Sequence, residues 1–280
     1  MRKLLSANFS RLWKSKIFWL LESACFILNA IVYVLVAVNT KNLGQGWLEY
    51  NAHAYFYLPI LFTAVLIAIF TCFYIGTDYS DGTMRNKLIV GHSRRNIYIS
   101  YFLTTAAADM LFILAYLLAV FIIGLPLSGS AVVTCVEMQP WRILNILLFL
   151  LEYTALFVLL TITDSNKARN VLVCLLTAVV LILLGMIVYG RYSQPEFINS
   201  VVSLRDGGIK LQQGAPNHKY LTGATRTVFE WITLILPSGS VMLSLDKNLG
   251  FDWRIPIISA LMALMLIWIG IRLFQKKDIR

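Results

Sequence analysis

Residues 171–190 read VLVCLLTAVVLILLGMIVYG, 20 consecutive positions without a charged side chain. At 1.5 Å per residue a helix of that length covers about 30 Å, the hydrocarbon thickness of a bilayer. Five further stretches have the same character: Ile17–Val38, Ala54–Gly76, Ile99–Gly124, Trp141–Thr163 and Ile255–Leu273. Backbone inside lipid must satisfy its own hydrogen bonds, so each is expected to be a helix. The ten-residue apolar/polar alternation of a membrane barrel is absent from the sequence. The expectation is an all-α polytopic membrane protein, with residues 1–280 forming a single domain of six transmembrane helices.

Composition agrees. The 280 residues are 59% hydrophobic and 14% charged, against about 25% charged in an ordinary globular domain, and the mean hydropathy is +0.73. That balance excludes intrinsic disorder and argues against a water-soluble enzyme. The formal charge of +10 is assigned to loops facing anionic lipid, and nucleic acid is not expected as a partner. Cys25, Cys72, Cys135 and Cys174 are too scattered in sequence to announce a disulfide framework or metal site, and they read as small buried hydrophobes.

The segment Val228–Leu245, VFEWITLILPSGSVMLSL, is broken by Pro237-Ser238-Gly239 and has Glu230 near its start. Neither half is long enough to cross, so an interfacial or re-entrant helical element is expected between spans five and six, in an outer loop covering residues 191–254. The first part of that loop, Arg191–Arg226, carries Gly207, Gly208, Gly214 and Pro216 and reads as irregular. With six spans, orientation follows the lysines and arginines. Arg2, Lys3, Arg11, Lys14 and Lys16 precede span one. Arg85, Lys87, Arg94 and Arg95 lie between spans two and three, Lys167 and Arg169 between four and five, and Arg272, Lys276, Lys277 and Arg280 at the end. The two short loops opposite hold Lys41, with Arg142 at a span edge. Both termini are therefore expected in the cytoplasm. The apolar run of span one exceeds the 7–15 residues of a signal-peptide core and lacks a small-x-small cleavage site, so it is read as uncleaved.

Motifs for soluble chemistry are missing. The sequence has no G-x-x-x-x-G-K-[ST], no H-E-x-x-H and no G-x-S-x-G. His53, His92 and His218 share no helix face, and Ser238 has no evident base beside it. Three acids interrupt the spans. Glu22, close to the inner end of span one, is expected to reach Lys14, Lys16 or lipid headgroups. Asp109 and Glu152, near mid-span, are candidate pathway residues; the competing reading is interhelical hydrogen bonding, with Asn145 or Thr105 as partner. The pairs Ala64/Ala68 and Ala115/Ala119 have the small-xxx-small spacing that permits close helix approach.

The most informative stretch joins spans two and three, DYSDGTMRNKLIVGHSRRNIY over 78–98. Asp81 or Thr83 can cap a short helix, Gly91 can end it left-handed, and Ser93 can cap the next helix. The short helix would carry Met84, Leu88 and Ile89 on one side and Arg85 and Lys87 on the other, and could dock into a groove on a cytosolic partner.

The pattern acidic-aromatic-x-x-G-T-x-R-N-x-L-x-x-G-x-S-R-x-x-I-Y, formed by Asp78, Tyr79, Gly82, Thr83, Arg85, Asn86, Leu88, Gly91, Ser93, Arg94, Ile97 and Tyr98, resembles the same segment of ABC-2 type transporter permeases. The likeness is to the bacterial peptide-antibiotic (lantibiotic) export and immunity group. Leu236–Gly239 before the last span, the terminal Phe274-Gln-Lys-Lys-Asp-Ile and the six-span plan are similar to that family too. The resemblance implies a half-transporter in the bacterial plasma membrane. It implies a second permease copy or paralogue, and a cytosolic ABC ATPase that holds ATP and Mg²⁺, no cofactor being bound by this chain. It also implies a coupling helix formed by Thr83, Met84, Arg85, Asn86, Lys87, Leu88 and Ile89 up to Gly91, with spans two and five facing the translocation path. The sequence itself leaves an alternative: a membrane sensor or scaffold that detects an antibiotic or peptide without transporting it, its inner helix docking a kinase.

Overall fold

The computed structural model describes residues 1–280 except 44, 129–139, 198–199, 204–208, 213, 215, 246–250 and 278–280; side chains are not described for 40, 43–59, 128, 140, 200–203, 209–212 and 245 either. Cys135, Gly207, Gly208 and Arg280 lie outside the described residues, as does the side chain of His53.

Six described helices are long and apolar enough to cross a membrane: Lys16–Asn39, Ile60–Ser80, Arg94–Leu127, Trp141–Thr163, Lys167–Tyr192 and Arg254–Lys276, taken below as spans one to six. Each contains one of the six apolar runs of the sequence or most of it. The helices overrun the apolar runs where local chemistry permits. Ser93 accepts a hydrogen bond from the Asn96 amide and starts span three, and Asn166 accepts from the Arg169 amide and starts span five. Pro140, whose missing N–H costs nothing in the first turn, opens the helix of span four. Span three widens into a π turn at Val120–Gly124, where Gly124 sits against the Tyr33 ring.

Before span one, a separate amphipathic helix occupies Arg2–Lys14, buries Leu4, Asn8 and Leu12, and packs on span three. A further short helix, Thr83–Ile89, follows span two. Within the bundle, span six packs on span four, spans two and five lie together, and span one packs on spans two and three. Phe18, Phe70 and Phe112 from spans one, two and three meet edge to face at 5.6–6.2 Å, the geometry that aromatic quadrupoles prefer. Ala64, Ala68, Ala115 and Ala119 are all buried, consistent with close helix approach at those positions. The described cysteines, Cys25, Cys72 and Cys174, are buried free thiols. Cys72 and Cys174 are far apart in sequence yet both lie against the Thr161 hydroxyl.

The segment between spans five and six departs from the irregular loop expected for Arg191–Arg226. Ser200–Ser203 and Ile209–Gln212 pair antiparallel, Ser200 opposite Gln212 and Ser203 opposite Ile209, and a bridge joins Phe197 to Pro216. SVVS and IKLQ mix β-branched and polar residues, a composition that fits a ladder better than a helix. The helical bundle of six spans stands as expected; the ribbon corrects only the irregular reading of this segment.

Next come two helices, Gly223–Ile235 and Pro237–Leu245, meeting at 104°. The break falls at the expected Pro-Ser-Gly. Ser238 donates to the Leu181 carbonyl of span five at 2.6 Å. The joint nests where span five has no side chain, since a Cβ on Gly185 would overlap Ser238 and approach the Gly239 nitrogen to 2.8 Å. Glu230 pairs with Arg254 at the head of span six, 2.7 Å apart.

Candidate functional site: a short helix clamped beneath spans two and three

Span two ends in a tight turn. The Asp81 amide donates to the Thr77 carbonyl, the Gly82 amide donates to the Tyr79 carbonyl, and Gly82 adopts φ +70°, a conformation glycine reaches without Cβ strain. The helix Thr83–Ile89 starts there without a side-chain cap. The expected capping by Asp81 or Thr83 is therefore corrected: the Thr83 hydroxyl donates to the Asp78 carbonyl at 3.2 Å instead. The other end is as expected. Gly91 has φ +94°, its amide donates to the Leu88 carbonyl, and the His92 amide donates to the Lys87 carbonyl; together these bonds form a Schellman stop.

The helix is held by one buried carboxylate. Asp78, 3% exposed at its side chain, accepts from Lys87 Nζ at 2.6 Å and pairs with the Arg11 guanidinium of the N-terminal helix. The Tyr101 hydroxyl of span three donates to the same carboxylate. Lys87 also donates to the Asn8 side-chain oxygen at 3.1 Å and to the Tyr101 oxygen at 2.8 Å. Asn8 in turn donates to Ser100, and its carbonyl accepts from Tyr74. Arg11 lies over the Tyr74 ring, 3.9 Å from its centroid. Four elements thus converge on Asp78: the N-terminal helix, span two, the short helix and span three. Burial, and then the Arg11 charge, lower the Lys87 pKa from its ordinary value, while contact with Asp78 favours the ammonium.

This clamp fixes which face of the short helix is free. Met84 is buried, Lys87 turns inward and Leu88 is half-buried, whereas Arg85, Asn86, Ile89 and Val90 are exposed, Ile89 at 72% and Val90 at 75%. The expected grouping of Met84, Leu88 and Ile89 opposite Arg85 and Lys87 is corrected. At about 100° per residue, 84, 87 and 88 share one face, and 85, 86, 89 and 90 share the other.

Further contacts tie the same end together. Arg94 donates to the Phe274 carbonyl at 3.1 Å, Lys277 donates to Tyr79 and to the Ile162 carbonyl, and Lys167 donates to Thr77. In the turn between spans four and five, hydrogen bonds from Arg169 hold the Asp164 carboxyl at about 2. The basic segments of the sequence therefore gather at one end of the bundle.

The acids inside the spans are distributed differently. Asp109 accepts from Thr154 of span four, and its second oxygen has no partner. Its expected partners act elsewhere: Thr105 donates to the Tyr101 carbonyl, and Asn145 donates to Ser244. Glu152 lies beside Ser259 of span six, both buried, with one carboxyl oxygen unpaired. The two carboxyls thus engage different helices. Glu22 does not pair with Lys14 or Lys16; its Oε2 is sequestered without a partner. Sequence reading missed Asn8, Arg11 and Tyr101. The available signal was the 4–8–12 spacing of Leu4, Asn8 and Leu12, which marks Arg2–Lys14 as a packed helix rather than a basic arm.

No protein-family model matches the sequence, and no curated protein matches it.

Proposed function

We propose that the chain is the membrane-spanning permease subunit of an ATP-driven ABC exporter. It would move peptide, lipid or drug-like amphipathic cargo across the bacterial plasma membrane, using a separate ATPase and a second permease copy or paralogue. The observation that carries this reading is the short helix: it presents Arg85, Asn86, Ile89 and Val90 outward while Lys87 anchors its other face to Asp78. An apolar pair flanked by polar groups on a fixed helix suits insertion into a groove of a partner. Because Asp78 ends span two and Tyr101 lies in span three, a displacement of the short helix would load both spans. The 104° helix pair and its seat on span five fit a re-entrant element at the opposite, outer side, with both termini cytoplasmic. Alternation between states of different cargo affinity then requires only that ATP binding in the partner favour one of them.

The test is co-purification with a separately expressed ABC ATPase subunit, followed by ATPase turnover in liposomes. Ile89→Asp with Val90→Asp should abolish association, because it puts charge on the apolar pair that docks, and the exposure of both side chains leaves the fold intact. Unchanged association and turnover would refute the coupling assignment. Association without cargo movement in liposomes would favour a sensor.

A further inference from the structure

Between spans one and three, near the basic end, lies a cleft of about 550 Å³ that opens at the outer surface of the bundle. Trp19, Glu22 and Phe26 line one wall and Leu111, Leu114 and Leu118 the other, each at i, i+3, i+7, so both walls are continuous helix stripes. The lining is apolar apart from Glu22 and Ser23. Glu22 carries an oxygen that is shut away from solvent and has no hydrogen-bond partner, and among the described residues no lysine or arginine pairs with it. The neighbouring Ser23 hydroxyl is committed to the Trp19 carbonyl at 2.8 Å. A carboxylate left alone at this depth is costly, and a cation brought from outside would offset the cost. The mouth supplies a second cation-binding feature. Trp13 and Trp19 are each about half exposed, their rings 5.5 Å apart and tilted by 35°, and Trp is the best aromatic face for an organic cation.

We propose that this cleft binds a lipophilic organic cation entering sideways from the bilayer. Glu22 and the two tryptophans hold the charge, and the stripes of spans one and three hold the apolar body. The site needs neither the ATPase nor transport, so it stands apart from the permease reading. A bare acyl chain would fit the slot but would leave the carboxylate uncompensated.

The experiment uses the full chain in phosphatidylcholine nanodiscs, with empty discs as baseline. Binding of tetraphenylphosphonium is compared with that of tetraphenylborate, which has the same shape and opposite charge. The expected result is saturable binding of the phosphonium only, weakened about tenfold or more by Glu22→Gln. Asp164→Asn, a charge change remote from the cleft, should leave it intact. Leu114→Trp keeps the carboxylate, fills the slot and should block binding, so it reports even if Glu22→Gln folds poorly. Equal binding of both ions would mean an apolar lipid slot and would overturn the proposal. Unsaturable phosphonium uptake matching empty discs, or saturable binding that survives both Glu22→Gln and Leu114→Trp, would overturn it as well.

Discussion

Asp78→Asn is the sharpest perturbation of the clamp. It keeps the size and an acceptor oxygen but leaves the Arg11 and Lys87 cations around a neutral amide. Removing one partner of a buried ion pair costs about 3–5 kcal/mol. Asp78 is 3% exposed, but Lys87 and Arg11 are 16% and 33% exposed, so water relieves part of the repulsion and about 2 kcal/mol is expected. The short helix has little else to hold it, Met84 being its one fully buried side chain. The loss should therefore appear as local opening of residues 83–91 rather than as global unfolding. Two kcal/mol at about 1.36 per tenfold corresponds to roughly thirtyfold faster hydrogen exchange. The amides to watch are those of Val90 and Gly91, bonded to the Asn86 and Leu88 carbonyls. Lys87→Met should cost less, because Asp78 keeps Arg11 and Tyr101, and the double variant should be non-additive by about 0.5–3 kcal/mol. Ile89→Asp, on the exposed face, should leave exchange unaltered. Wild-type exchange in Asp78→Asn would refute the claim that this carboxylate fixes the helix.

Three more outcomes are expected. Gly185→Ala should cost about 1–3 kcal/mol, read as a lower Tm, because its methyl must displace Ser238 and Gly239; Gly190→Ala on the same helix, with open space around it, should be neutral or stabilising. Thr154→Val should cost about 1–3 kcal/mol by stripping Asp109 of its donor, and adding Asp109→Leu should recover much of the Tm. The Asp164 carboxyl, at about 2 in the folded chain and about 3.9 unfolded, supports folding at pH above about 4, and this support fades as pH falls toward 2. The Tm difference between wild type and Asp164→Asn should be small, since the pair faces solvent, present at pH 6 and gone near pH 2.

Chain length and apolar runs made the six spans legible, because lipid leaves a 20-residue apolar segment one option. Local signals also worked where they depend on one backbone position: Gly91 as a stop, Ser93 as a cap, the break at Pro237. The errors came from partners distant in the chain. Nothing between residues 78 and 98 announces that Arg11 and Asn8 complete the site, so the inward turn of Lys87 could not be read from its own segment. Thr154 as the partner of Asp109 depends on how spans three and four are rotated, which hydrophobic periodicity fixes poorly when helices are apolar all round. The ribbon at 200–212 was missed because SVVS and IKLQ are each too short to show a period.

The Arg11–Asp78 contact also bears on biogenesis. A ribosome releases Arg11 well before Asp78 and Tyr101 exist, so this contact closes only after spans two and three have been made. A bulky fusion placed ahead of Met1 would be carried to the same end of the bundle as the exposed face of Ile89 and Val90, and could obstruct it. A reporter inserted near Asn217, in the segment between spans five and six, would leave that assembly step undisturbed.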